Sequence, residues 1–282
     1  MHQHTSWKDH LIITLILTIV LLFLGQLCGL VFSLIQTNNP FLKTFLFYDS
    51  NLGVWLVIGG FCLLFKRERP LLDIVKEGRG NTTLSLFFGL LSGIVLNAFC
   101  VILAYLHNDF TLLLNSFAPL QLLALLFAVL IQSGAEELLV RGFMMQRLER
   151  RYSPLLAMIV SSMLFAALHL FNPHVTMIAV INLFLFGFFM ALVTTFYQSL
   201  WMVIGIHAAW NYTQAIIFGL PNSGISATYS IFSLMNPLKS AFYDPLFGIE
   251  GSLCAMLLLI LLIAAIAFLN VYKWKSAFLK HE

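Results

Sequence analysis

The chain has 282 residues, of which 60% are hydrophobic and only 10% are charged, and its formal net charge is +3. Soluble globular domains carry about 25% charged residues, so this composition excludes an ordinary soluble domain. The basic residues are spread over several loops, which argues against nucleic acid as a partner. We therefore expect an all-α polytopic protein of the lipid bilayer, with residues 1–282 forming a single integral-membrane domain.

Apolar runs of about 20 residues, the length that crosses a bilayer, occur about eight times along the chain. The second run is the least regular, because Asp49 and Asn51 interrupt its start. An even number of spans places both termini on the same side of the membrane. The predicted spans are residues 11–35, 44–65, 82–106, 119–148, 154–172, 175–197, 200–219 and 252–272.

The distribution of lysine and arginine orients these spans, because cytoplasmic loops carry an excess of both residues. With eight spans, only Lys43 and Lys239 fall on one side of the membrane. The asymmetry predicts that both termini are cytoplasmic and that the long connection 220–251 is extracytoplasmic. The basic residues on the other side are Lys8, Lys66, Arg67, Arg69, Lys76, Arg79, Arg147, Arg150, Arg151, Lys273, Lys275 and Lys280.

Two adjacent glutamates, Glu136 and Glu137, lie inside the fourth predicted span. Ionised carboxylates are costly in hydrocarbon, so ionisable residues within a span are candidates for function. Arg141 follows Glu137 by four residues, a spacing that suits an ion pair on one face of a helix. Such a pair would leave Glu136 free to react.

Two histidines also lie in apolar spans, and each has a partner four residues away. Phe165 precedes His169, and Asn211 follows His207. Residues at this spacing lie on the same face of a helix. We therefore expect Phe165 to lie beside His169, and His207 to point in the same direction as Asn211.

The turns between spans predict how deep these groups lie. Glu136 and His169 are each 16 residues from the turn near Tyr152–Ser153, so two antiparallel helices place them at the same depth. His207 is only eight residues beyond the next turn, near Ser199. It reaches the same depth only if that turn is recessed or the first hairpin projects from the membrane.

This set of polar groups favours hydrolysis of an amide. Glu136 with His169 could take a proton from water, while His207 with Asn211 could donate hydrogen bonds to an oxyanion. The same Glu136, His169 and His207 could instead hold one divalent metal, of which zinc is the most suitable. The absence of an H-E-x-x-H sequence favours a metal-free general base.

Two other classes of protein could use the same residues. A proton-coupled carrier could relay protons through Glu136, Glu137 and the histidines. A non-catalytic immunity or scaffold protein could retain them for helix packing. A Glu136→Asp change separates the first alternative, because transport could survive it while a positioned hydrolytic base would lose most of its rate. A Glu136→Gln change separates the second, because a scaffold would keep its function.

Three short motifs resemble those of the CPBP intramembrane protease family, which includes the type II CAAX prenyl endopeptidases and the bacterial Abi-type proteins. The resemblance covers about residues 119–219, whereas the remaining spans match only as generic membrane helices. The motifs are E-E-x-x-x-R at Glu136, Glu137 and Arg141, F-x-x-x-H at Phe165 and His169, and H-x-x-x-N at His207 and Asn211.

The resemblance implies a CAAX-type intramembrane protease of eight spans with a cavity open toward the cytoplasm. It implies that Glu136 and His169 activate water and that His207 and Asn211 hold the oxyanion. The remaining motif residues would support the site, namely Glu137, Arg141 and Phe165. Family members have been described as glutamate proteases and as metalloproteases, so the implied cofactor is either none or one divalent metal such as zinc.

The resemblance also implies a substrate and a location. The substrate would be a membrane-associated peptide or protein, cut near the cytoplasmic face of the membrane. In bacteria the family is linked to bacteriocin self-immunity, peptide maturation and membrane scaffolding. The compact chain is similar to this bacterial group, so we expect it in the bacterial plasma membrane.

Overall fold

The structure is a computed structural model that describes residues 6–78 and 80–278, with side chains described as far as residue 269. Most of the described residues are helical, as the composition predicts. Two of the basic residues used to orient the spans, Arg79 and Lys280, lie outside the described residues. The side chains of Lys273 and Lys275 do as well.

Helices occur within every predicted span. Five stretches are both long and apolar enough to cross a membrane: Leu11–Leu34, Pro40–Leu64, Thr83–Leu106, Pro119–Glu149 and Met177–Tyr197. Eight spans therefore remain a prediction. The helices are α1 (Leu11–Gly29), α2 (Pro40–Asp49), α3 (Leu52–Leu64), α4 (Thr83–Leu106), α5 (Pro119–Glu137), α6 (Pro154–Leu168), α7 (Met177–Tyr197), α8 (Leu200–Asn211) and α9 (Leu253–Phe278).

The second predicted span is divided into α2 and α3, which separate at the polar residues Ser50 and Asn51. Asn39 begins α2 by accepting a hydrogen bond from the backbone N–H of Leu42 through its side-chain oxygen, a common N-cap arrangement. The break falls where the sequence interrupts the apolar run. Short 3-10 helices cover Trp7–Asp9, Leu30–Leu34, Arg69–Val75 and Ile249–Gly251.

Two helices change to π-helical geometry at a motif: the first π segment contains Arg141, and the second begins directly after Asn211. The π segment Leu138–Met145 follows α5 and leads into a last α-helical turn, Gln146–Glu149. A second π segment, Tyr212–Ile217, follows α8. Such insertions are rare and are frequent at functional sites. Nothing in the apolar pattern of the sequence predicts them.

One end of the molecule, here named the basic end, gathers the start of α1, the loop after α3 and the turn between α5 and α6. Arg147 joins all three: it donates hydrogen bonds of 2.6 Å to the carbonyl of Lys8 and to Oε1 of Glu68. The turn between α7 and α8 lies at this end too. Ser199 in that turn is fully buried and donates a 3.1 Å hydrogen bond to Asn81. This turn is therefore covered by the loop that precedes α4.

The opposite end, here named the loop end, holds residues 30–39, 107–118, 169–176 and 218–252. Strand β1 (Thr111–Leu114) pairs antiparallel with β2 (Phe232–Met235), with Thr111 opposite Met235. This small sheet departs from the all-α expectation, because two connections at the same end satisfy their backbone groups by pairing. The connection 218–252 also binds α2, where Thr44 accepts a hydrogen bond from the backbone N–H of Thr228.

Helices α4 and α8 pack with their backbones in contact. A Cβ atom placed on Gly93 would lie 2.3 Å from the carbonyl oxygen of Ile206, and one on Gly89 would lie 2.3 Å from that of Met202. Small residues four apart allow this close approach between membrane helices. Because α8 carries His207 and Asn211, α4 fixes the position of two of the motif residues.

Candidate active site

Glu137 and Arg141 form the expected ion pair, and both side chains are completely buried. Arg141 donates a 3.0 Å hydrogen bond to Oε1 of Glu137 and a 2.9 Å bond to the carbonyl of Gly187 on α7. Its guanidinium also lies 4.7 Å from the ring centre of Phe165, within range of a cation–π interaction. The pair therefore locks α5 to α6 and α7.

His207 is held by the same carboxylate. Its Nδ1 lies 2.9 Å from Oε1 of Glu137, and a carboxylate oxygen can only accept, so Nδ1 carries the hydrogen. The rings of Phe165 and Phe186 stand edge-on to the imidazole at 5.9 and 5.2 Å. These contacts fix the plane of the ring and leave Nε2 for the opposite side, where it lies 3.8 Å from Oε2 of Glu136.

Glu136 is the more reactive glutamate by its contacts. One carboxylate oxygen accepts a hydrogen bond from the side-chain amide of Gln132, one turn earlier on α5. The other oxygen, Oε2, is buried and accepts no hydrogen bond from any described residue. About 28% of the side chain is exposed. Oε2 of Glu137 also lacks a hydrogen-bond partner, but Glu137 is completely buried and does not line the cavity. Of the two glutamates, only Glu136 therefore presents a free oxygen to the cavity.

Asn211 lies near Glu136 and is linked to it through the side chain of Gln132. Its Nδ2 donates to Oε1 of Gln132 at 3.2 Å and to the hydroxyl of Ser133 at 3.3 Å. Its Oδ1 accepts a 3.0 Å hydrogen bond from Asn222 in the connection 218–252. The amide of Gln132 therefore contacts both Glu136 and Asn211, and it joins the first motif to the third.

His169 is the C-cap of α6 and is fixed by its own helix. Its Nδ1 donates a 2.8 Å hydrogen bond to the carbonyl oxygen of Phe165, and the two rings lie 4.8 Å apart. These contacts leave Nε2 available. The sequence interpretation pairs Glu136 with His169, but the structure brings Glu136 to His207 instead. The cause is the packing of α5 against α8, while the backbone carbonyl holds the His169 ring on α6.

The motif side chains meet at one cavity of about 1070 Å³. Glu136, Phe165, His169, His207 and Asn211 all line it. Glu137 and Arg141 do not, because they lie behind His207 and Phe165. Because Nε2 of His207 lies 3.8 Å from Oε2 of Glu136, the two residues lie at the same depth. The cavity therefore contains both histidines and the free carboxylate oxygen.

A family model described as type II CAAX prenyl endopeptidase, Rce1-like, matches residues 118–213. These residues contain all three motifs and nearly all of the helices that carry them. The motif-bearing segment is Rce1-like. The resemblance to the CPBP proteases is thereby confirmed, and it supports a CAAX-type protease.

The chain is also similar to an uncharacterized protein of Bacillus subtilis (strain 168), YyaK. It is 27% identical to this chain over 201 residues, which cover 68% of this chain and 66% of the relative. The chain thus spans just under two thirds of the length of this relative. The similarity extends beyond the Rce1-like segment, but the name of the relative assigns no reaction.

The cavity of the Rce1-like segment lies toward the loop end. Its other walls come from residues 29–38, from α2, from Phe171 and Asn172, and from Asn222, Ser223 and Ile225. No residue of the basic-end loops lines it. A cavity open toward the cytoplasm and cytoplasmic termini therefore cannot both be correct, because the structure places the cavity mouth and the basic loops at opposite ends.

The residues expected to hold a metal do not form a ligand set. Within residues 6–78 and 80–278, no three His, Cys, Asp or Glu side chains gather in the way that a metal ion requires. Glu136 and His207 approach each other, but His169 forms no ion pair with either glutamate. In this arrangement the side chains of Glu136, His169 and His207 do not form a site that fits zinc.

Three residues near the site were not identified from the sequence. Gln132 precedes Glu136 by four residues, so helical spacing could have revealed it. Asn222 lies in an irregular connection, where no periodicity marks its contact with Asn211. Glu250 is buried beside α8 and accepts 2.7 Å hydrogen bonds from Trp210 and Gln214. Burial raises the pKa of the Glu250 carboxyl, and these hydrogen bonds oppose that rise.

Proposed function

We propose that the chain is an intramembrane endopeptidase that hydrolyses a peptide bond in a membrane-associated peptide or protein, with Glu136 as the general base. One observation carries this proposal: the unpartnered Oε2 of Glu136 faces Nε2 of His207 across 3.8 Å at the wall of the cavity. A single water molecule can bridge such a distance and lose a proton to a carboxylate.

The reaction begins when Glu136 takes a proton from water as the oxygen of that water attacks the carbonyl carbon of the substrate. A new C–O bond forms, and the carbonyl oxygen becomes an oxyanion. Glu136 then gives the proton to the amide nitrogen as the C–N bond breaks. The remaining proton of the new carboxylic acid is lost to solvent. His169 assists the first step: its Nδ1–H is directed at the carbonyl oxygen of Phe165, which leaves Nε2 for the attacking water.

The oxyanion is stabilised by Asn211 and His207. The two hydrogen bonds from Nδ2 of Asn211, at 3.2 and 3.3 Å, are longer than the usual value of about 2.9 Å. One of them can therefore be exchanged for the substrate oxygen. His207 can donate from Nε2 when both ring nitrogens carry hydrogen, with Nδ1–H directed at Oε1 of Glu137. Preorganised donors of this kind lower the barrier by about 3 kcal/mol each.

The proposed mechanism needs no metal ion. A chelator supplies the direct test: cleavage by the purified full-length chain should continue at the same rate after treatment with EDTA and removal of free metal. Loss of activity that added zinc restores would contradict the metal-free mechanism. It would leave the assignment as a protease intact.

Comparison of membrane peptides tests the function itself. Host membranes that contain the unchanged chain, the Glu136→Gln variant or a Glu77→Gln variant are compared for new peptide termini. Glu77 is an exposed carboxylate in a loop at the basic end, so its variant controls for the loss of one negative charge. We expect new termini with the unchanged chain and with Glu77→Gln, and none with Glu136→Gln.

The opposite outcome would favour the other two classes. Identical peptide maps from all three proteins, each folded and equally abundant, would contradict a protease and favour a scaffold or a carrier. A Glu136→Asp variant separates these two, because a carrier can keep proton-coupled transport when the carboxylate is shortened. A hydrolytic base that is displaced by one methylene should lose most of its rate.

A further inference from the structure

We propose that the catalytic cavity opens to the extracytoplasmic face of the membrane, so that the substrate is a segment of an exported or membrane-anchored peptide reached from outside. The orientation of the cavity stands on the fold and the charges alone. Only the nature of the substrate rests on the proposed function. The proposal replaces the cytoplasmic opening that the family resemblance implies.

The mouth of the cavity lies at the loop end of the molecule. Its polar rim lies at the loop end and is uncharged except for Lys43; it includes Gln36, Asn38 and Asn172. Residues 30–38 connect α1 to α2, and Asn172 follows α6. On the other side of Glu136, the π segment Leu138–Met145 is completely buried. The packed side chains of this segment close the route from Glu136 to the basic end.

Lysine and arginine are concentrated at the basic end, opposite the mouth of the cavity. Without the C-terminal tail, the described part of the basic end carries eight lysines and arginines. Two of them, Arg147 and Arg150, bind Glu68. At the loop end, the lysines are Lys43 and Lys239, and Lys239 is paired with Asp244 at 3.0 Å. The orientation rule counts lysine and arginine rather than net charge. It therefore assigns the basic end to the cytoplasm.

The position of the mouth and the distribution of lysine and arginine together determine the side of the membrane from which a substrate enters the cavity. Because the mouth and the basic loops lie at opposite ends of the same helices, a cytoplasmic basic end places the mouth outside. The two ends of the described chain then lie on the cytoplasmic side of the membrane. They are the 3-10 helix Trp7–Asp9 and the end of α9.

The walls of the cavity indicate the chemistry of the substrate. The deeper walls are apolar, with Leu139, Leu183 and Leu259, whereas the rim is polar and mostly uncharged. A segment that fits has apolar residues on the membrane side of the cleaved bond and uncharged polar residues on the outer side. This pattern is that of a hydrophobic membrane anchor where it emerges at the outer surface.

Cysteine labelling in intact cells tests the orientation without any need for activity. Asn38→Cys places a thiol at the cavity rim, and Lys66→Cys places one in a basic-end loop; both native residues are exposed. Cys62 and Cys100 are buried, whereas Cys28 is exposed and Cys254 is partly exposed. Both variants are therefore made in a chain that carries Cys28→Ser and Cys254→Ser, and that chain is the blank. A membrane-impermeant maleimide should label Asn38→Cys in intact cells. It should label Lys66→Cys only after the cells are permeabilised.

The reverse pattern, with Lys66→Cys labelled in intact cells and Asn38→Cys protected, would overturn the proposal. Equal labelling of both variants in intact cells would overturn it as well, because the chain would then lack a single orientation. Gln36→Cys is a second rim variant, which keeps the test decisive if Asn38→Cys does not fold.

A second arm links the orientation to the substrate. Once a cleaved peptide is known, intact cells that express Ile225→Cys are treated from outside with a large charged maleimide. Ile225 lines the mouth and is exposed. We expect cleavage to fall at least tenfold, with no change for Lys66→Cys. Unchanged cleavage would overturn the proposed route of entry. If no peptide is cleaved by any variant, the protease assignment fails, while the labelling result still decides the orientation.

Discussion

Nδ1 of His207 lies 2.9 Å from Oε1 of Glu137, so the second glutamate of the pair holds the histidine that the first glutamate faces. The two adjacent glutamates of this helix thus have different roles. Glu136 presents a free carboxylate oxygen to the cavity, and Glu137 orients the imidazole from behind. Their side chains can do both because successive residues of a helix point in directions about 100° apart.

The first prediction follows from this division. Glu137→Gln leaves the buried Arg141 without a counter-charge, and breaking a buried ion pair costs on the order of 3 kcal/mol. We expect both the unfolding midpoint in detergent and the cleavage rate to fall. Glu136→Gln should abolish cleavage with little change in the midpoint. Equal midpoints for the two variants would contradict the structural role of Glu137.

The second prediction concerns the oxyanion. Asn211→Ala should reduce kcat by about 100-fold or more, as expected when one oxyanion donor is removed. Asn222→Ala removes only the hydrogen bond that orients Asn211, so we expect a smaller loss of kcat with KM nearly unchanged. Steady-state kinetics on a cleaved peptide measure both. Asn222→Ala as damaging as Asn211→Ala would show that Asn222 itself touches the substrate.

The third prediction uses two glycines as a matched pair. Gly93→Ala places a methyl group against the backbone of α8, where an added Cβ would lie 2.3 Å from a carbonyl oxygen. Overpacking of this kind typically costs about 1–3 kcal/mol, so thermal unfolding should occur at lower temperature. Gly59→Ala meets no atom within 4 Å and should be neutral or slightly stabilising. A similar shift for both variants would contradict the close contact of α4 with α8.

The fourth prediction concerns pH and Glu250. Burial raises the pKa of this carboxyl in the folded chain, so the folded state holds the proton more tightly than the unfolded state does. Its contribution to stability is complete below the unfolded pKa, near 4.5, and is lost as pH rises through the folded value. We therefore expect the unchanged chain to lose stability relative to Glu250→Gln as pH increases. Unfolding midpoints measured from pH 4 to 8 test this, and parallel curves would contradict it.

The helices and several side-chain pairs of the site could be predicted from the sequence. The apolar runs contain every long helix, and the spacing of four residues predicts the contacts of Glu137 with Arg141 and of Phe165 with His169. These contacts are local, so helical geometry is sufficient to derive them. The interruption at Asn51 likewise marks the break between α2 and α3.

What the sequence could not predict depends on packing between distant elements. The contact of Glu136 with His207 rather than His169 arises from how α5 rotates against α8. The bond from Asn222 to Asn211 depends on the course of an irregular connection, and the β1–β2 pairing joins strands about 120 residues apart. None of these follows from periodicity, because each is decided by tertiary packing.

The π segment Leu138–Met145 has a consequence for chain length. A π turn holds one residue more than the α-helical turn it replaces, so it rotates everything that follows it. Deleting one residue of this segment after Arg141 would restore a plain α-helix and keep the spacing of all three motifs. It would also turn Arg147 by about 100°, away from Glu68. We therefore expect related chains that lack this insertion to need a different anchor at the basic end of the helix.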